Sequence, residues 1–171
     1  MHFHDIHRAP RGTPAIGSDI HHAAVACALA HEDRAVLLAC LDRSPGHDPW
    51  VLAVAGAKVA LARIFAAADL PPDRIAVGTR LAFGIGDRRP EPVVLAPWDE
   101  EPAPLGRLAL RTRLGIAMLG MREGAHVDVP RHDGTIERLT IHDVLYRTGA
   151  QSAPGTSPAN DNRGGERKVR P

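Results

Sequence analysis

The sequence predicts an α+β protein in which an antiparallel helical hairpin precedes a small β-sheet domain containing one short helix. Two observations carry the prediction. Between residues 19 and 69 the apolar residues recur at helical spacing, interrupted by the breaker SPGHDP at 44–49. From residue 70 to 148 the period changes to short alternating runs punctuated by glycine and proline, the pattern of small strands. Both flanks, 1–18 and 149–171, lack any periodicity and are expected to be disordered.

In the first unit Ser18 or Asp19 is placed to cap a helix that begins near Ile20 and runs to about Arg43. A second helix starts at Asp48 or Pro49, because proline fits the first helical position, and continues to about Ala68. Trp50, Val54, Ala57, Leu61, Ile64 and Ala68 give it a packing seam at alternating spacings of four and three. Apolar residues also lie off that seam, Val51, Leu52, Val59 and Phe65 among them. Such a hairpin needs further cover: the other domain, a second copy of the chain, or a protein target. The homodimer expectation rests on this surface, across residues 20–68.

In the second unit strands are expected over 80–83 and 92–96, followed by the acidic loop WDEEPAP and a strand carrying Leu108 and Leu110. Thr112 is placed to cap a short helix over 113–119, and Gly120 supplies a helix-ending residue able to adopt positive φ. Val127 with Val129 and Leu139 with Ile141 mark two more strands, joined by a turn at Asp133-Gly134. Five short strands around one helix give a small but adequate core.

Composition limits the function classes. Lys and Arg total 21 against 20 Asp and Glu, so no net field favours nonspecific nucleic-acid binding, and any DNA or RNA contact is expected to be indirect. Cys27 and Cys40 stand far apart in alanine-rich surroundings and are expected as buried reduced thiols. There is no long apolar leader and no 20-residue apolar span, which points to a soluble cytoplasmic protein. No nucleophile, base and orienting group gather in one motif, so no enzyme, cofactor or metal is expected.

The remaining polar groups have ordinary explanations. His2, His4 and His7 lie in the unpatterned amino terminus, and His126, His132 and His142 are scattered without cysteine partners. The glycines of LAFGIGD lack the Lys-Ser/Thr of a phosphate loop. Asp99, Glu100 and Glu101 form an acidic loop. Arg107, Arg111 and Arg113 are the most suggestive charged group, with Arg107 and Arg111 near the two ends of one expected strand. These arginines, with Trp98 beside the acidic loop, are the candidate partner-binding residues.

Residues 105–146 resemble the carboxyl-terminal domain shared by the bacterial Gre transcription factors and the Rnk-type regulators of nucleoside diphosphate kinase. The pieces that carry the resemblance are Gly106-Arg107-Leu108, Leu114-Gly115, Met118-Leu119-Gly120, Glu123-Gly124, Val127 to Pro130, Asp133-Gly134 and Leu139 to Tyr146. Upstream, LPPDRIAVGTRLAF at 70–83 resembles the link from the helical arm of Rnk proteins into their sheet. The resemblance implies an FKBP-like domain that docks at the rim of the RNA polymerase secondary channel, with a coiled-coil arm reaching inward. It implies no prolyl-isomerase activity, because the aromatic cup that such chemistry needs is absent.

The family pattern departs here at three positions: Arg113 stands for proline, Ile116 for arginine and Ala125 for aspartate. In the Gre mechanism acidic residues at the arm tip help hold a second magnesium ion. The tip of this hairpin would carry only Asp42 and Asp48, which suit helix ends better than metal binding. The expectation is therefore a non-enzymatic, Rnk-like regulator that binds polymerase without stimulating cleavage, the alternative being a dimeric scaffold or adaptor.

Overall fold

The computed structural model describes residues 16–42, 46–98 and 105–147. The amino-terminal histidines His2, His4 and His7, the acidic loop 99–101 and the tail lie outside them. The described chain forms α1 (Ile16–Val25), β1 (Ala28–Ala30), α2 (His31–Asp42), α3 (Pro49–Leu61), β2 (Arg63–Phe65), β3 (Thr79–Ile85), β4 (Glu91–Ala96), β5 (Arg107–Ala109), α4 (Arg113–Met118), β6 (His126–Pro130) and β7 (Ile136–Arg147). The class is α+β, with helices packed on a curled sheet.

The expected first helix is two helices. It starts earlier, at Ile16, so Ser18 and Asp19 lie inside α1 rather than at its cap. It then breaks at Cys27, where Ala28, Leu29 and Ala30 extend and pair in parallel with Arg63, Ile64 and Phe65. Alanine favours helix locally, but three fully engaged strand residues outweigh that preference. The HEDR segment that interrupts the apolar stripe is the start of α2, with Glu32 and Asp33 at the positive end of the helix dipole.

The second helix is likewise shorter than its apolar seam suggests. Ala62 is already extended, and the β-favouring Ile64 and Phe65 that extrapolate the seam belong to β2. The buried face of α3 is Val51, Val54, Ala55 and Lys58, offset from the expected stripe. Both halves of the expected first helix, α1 and α2, pack on α3, with no projecting coiled coil among the described residues.

The five-stranded sheet has the order β5-β4-β3-β7-β6, antiparallel except for β4 with β5. Its central strand is β3, which pairs with the long β7 through two register shifts that bend the ladder. Thr112 caps α4: its hydroxyl donates to Ala109 O at 2.8 Å and accepts from Gly115 N at 3.0 Å. Gly115 lets this turn close, since a Cβ there would lie 2.2 Å from Ala109 O. Gly120, at φ +78°, reverses the chain after α4 and presents its carbonyl to Ala28 N.

One apolar core joins the two halves. Leu29, Leu37, Cys40, Val51 and Val54 from the helical unit pack in the same cluster as Ile75, Leu81, Leu95, Ile116, Met118, Leu139 and Ile141. Of the three covers considered for the apolar helices, the structure uses the sheet unit. Both cysteines are buried thiols outside any disulfide.

Candidate functional site

A cleft of about 760 Å³ opens where the turn before α3 meets the entrance of α4 and the β6–β7 hairpin. The Thr112 cap sets its geometry by fixing the first turn of α4, from which Arg113 projects. The Arg113 Nε donates to Asp48 Oδ2 at 2.6 Å, and Nη1 donates to the Pro130 carbonyl at 2.7 Å. The guanidinium also lies 6.0 Å from the centroid of the Trp50 ring.

Asp48 is held from the other side. Its Oδ1 accepts from Trp50 N at 2.9 Å, capping α3. The hydrogen bond from Arg113 is the main reason its carboxyl is held below the ordinary range, with partial burial opposing and the Trp50 amide and His132 assisting. A candidate arm-tip residue and a candidate docking residue thus bind each other. Asp42, the other tip candidate, is exposed at the end of α2 and does not line the cleft.

The other candidates separate. Arg111 lines the cleft, but it follows β5 instead of ending it, because the strand stops at Ala109. Arg107 is exposed on β5, at the sheet edge and away from the cleft lining. Trp98 is only 4% exposed and meets the His47 ring edge-on at 5.3 Å, so it anchors the core below the cleft and offers no docking rim.

Several residues that sequence reasoning passed over matter here. Glu137 pairs with Arg131 at 2.8 Å and with Arg88 at 3.8 Å, lacing the cleft wall across the hairpin turn. The signal was available, since Arg131 and Glu137 flank Asp133-Gly134 and must approach once that turn closes. Lys58 is fully buried and donates to the carbonyls of Ala117 and Leu119, with the Cys27 sulfur beside it. Burial is the main cause of its lowered pKa. One of only two lysines in the chain, in an otherwise apolar helix, was its signal.

Asp33 is the other buried charge, 5% exposed in the first turn of α2. It accepts from Val77 N at 3.2 Å and from the Ala30 amide, while its second oxygen has no hydrogen-bond partner. Desolvation pushes its carboxyl up to about 6. Among the described residues no three His, Cys, Asp or Glu side chains are grouped to hold a metal ion, and no helix is long and apolar enough to cross a membrane.

No known family model matches this sequence, and no curated protein resembles it closely enough to count as a relative. A solved structure does match: a prokaryotic transcription elongation factor GreA/GreB from Nitrosomonas europaea, 17% identical, with a TM-score of 0.55. The likeness covers 70% of this chain and 98% of that one, more of this chain than the sheet unit alone can supply. At this identity it is a likeness of fold: the chain folds as a distant structural relative of a transcription elongation factor.

Proposed function

We propose that this protein is a non-enzymatic regulator of transcription that binds RNA polymerase near its secondary channel. The observation that carries the reading is the fold match along nearly the whole length of a GreA/GreB-type factor. It agrees with the order of motifs from Gly106 to Tyr146 in the sequence. The curled sheet with α4 against it would be an FKBP-like docking domain of Rnk type, and Arg107 and Arg111 its polymerase-facing cations.

Cleavage stimulation is not part of the proposal. An acidic tip must project to carry a metal ion into another protein's active site. Asp48 is instead engaged by Arg113 and by the start of α3, and α2 and α3 pack into the common core. Regulation would therefore come from occupancy of the docking surface.

The test is co-migration of the full chain with bacterial core polymerase at micromolar concentration. A complex that is weakened by Arg107→Glu and Arg111→Glu supports the reading. Absence of any complex with core polymerase, including that of the host, overturns it. The adaptor alternative relied on apolar residues off the packing seam, of which Val51 is buried internally and Leu52, Val59 and Phe65 are half-buried. A dimer mass by light scattering would restore it.

A further inference from the structure

A smaller pocket of about 250 Å³, sharing no lining residue with the large cleft, lies between the end of α1 and the segment leading into β6. Its lining carries two cations, Arg74 and Arg122, with the His126 imidazole beside them, and no carboxylate lines it. The large cleft differs, because there Asp48, Asp133 and Glu137 offset the arginines. We infer that this smaller pocket is a binding site for an organic oxyanion, a phosphate or carboxylate carried on a short apolar group.

The backbone forces the two arginines together. Arg74 and Arg122 form an isolated antiparallel bridge, with Ile75 N donating to Met121 O and Glu123 N donating to Asp73 O, each at 3.0 Å. These bonds flank the pair, so Arg74 and Arg122 occupy a non-hydrogen-bonded position, where facing Cβ atoms stand about 4.5–5.5 Å apart on one side. Like charges directly opposite in such a pair repel. An anion between them removes that repulsion.

Their existing partners leave capacity for a ligand. Arg74 is anchored by Nη1, which donates to Ala26 O at 2.8 Å, but its buried Nε has no hydrogen-bond partner. Asp73 approaches that nitrogen only to 3.9 Å, an ion-pair distance too long for a hydrogen bond. Among the described residues no carboxylate pairs with Arg122. A guanidinium carries five donors in a planar fork suited to carboxylate and phosphate oxygens.

The rest of the lining selects for an apolar body behind the anion. Ala23 of α1, Ala26 just after it, Met121 and Val127 form apolar walls, and the buried Cys27 lies beside them, its thiol donating to Ala23 O and Leu119 O. The volume suits a head group with a few carbons and excludes a nucleotide.

Titration of the full chain with butyl phosphate, butyrate and inorganic phosphate, followed by NMR shifts, tests the site. Butyl phosphate or butyrate should bind saturably in the millimolar range or tighter, and the stronger of the two identifies the head group. Arg122→Gln, at an exposed position, should weaken binding roughly tenfold through loss of a charge-assisted bond. Arg74→Lys, which keeps a donor for Ala26 O but loses the fork, should weaken it too, while Arg138→Gln, outside the pocket, should not. Absence of saturation, equal binding by the Arg122 variant, or inorganic phosphate binding as tightly as butyl phosphate would overturn the inference.

Discussion

Arg113 and Asp48 are joined at 2.6 Å, although 65 residues separate them in the chain. The bond connects the first turn of α4 to the cap of α3, and so fastens the helical unit to the sheet unit at the cleft. Arg113 occupies a position where the resembled family has proline, which has no side-chain donor for such a bond. The departure that weakened the sequence resemblance is thus a structural clamp.

A double-mutant cycle will measure that clamp. Both side chains are about one-fifth exposed, so the pair is neither a surface bridge nor a deeply buried one. Arg113→Ala should cost about 2 kcal/mol and Asp48→Ala about 1–2, with a coupling energy near 1 kcal/mol in urea denaturation. Because the folded carboxyl of Asp48 titrates below its ordinary value of 3.8, its contribution is complete above that pH and is lost as pH falls through the folded value. Additive single effects would show that the two residues act independently.

Asp33 gives the opposite pH dependence. Its folded carboxyl is raised from 3.8 to about 6, so between those values the folded state binds more protons than the unfolded one. Stability should therefore rise as pH is lowered from 7 to about 4, by roughly 2–3 kcal/mol from this group alone. Asp33→Asn, which can still accept from the Val77 and Ala30 amides, should flatten the slope in denaturation midpoints measured across that window. A slope unchanged by the substitution would assign it to other groups, since Glu32 and Arg147 also act on this site.

Lys58 holds the end of α4 through the carbonyls of Ala117 and Leu119. Lys58→Ala removes a fully buried side chain and leaves both acceptors without this donor, at an expected cost of about 3–5 kcal/mol. Lys58→Met restores the volume but not the bonds, and should recover about half of that loss. Equal destabilisation by the two variants would place the whole effect on the hydrogen bonds.

The sheet unit was legible in the sequence because its signals are local. Thr112, Gly120 and Asp133-Gly134 each impose their geometry within a few residues, and the structure has the expected cap, reversal and hairpin. The helical unit was misread because β1 and β2 are three-residue strands whose pairing is parallel and spans 35 residues, Ala28 to Arg63. Nothing in ALA or RIF announces such a partner, while alanine spacing imitates a continuous helix. The site showed the same division. Arg111, Arg113 and Asp48 could be nominated by residue type, but the contact between Arg113 and Asp48 depends on the helices folding back over the sheet.

The β1 contact with the turn after α4 also governs the order in which the protein can be made. Ala28 donates to Gly120 O, and the Cys27 thiol reaches Leu119 O across 92 residues. Contacts of such separation close late and slow folding. During synthesis α2 and α3 emerge well before the segment that completes their core. The amino-terminal half must remain incompletely packed until residue 120 has left the ribosome, with its apolar alanine- and leucine-rich helices exposed to chaperones in the interval.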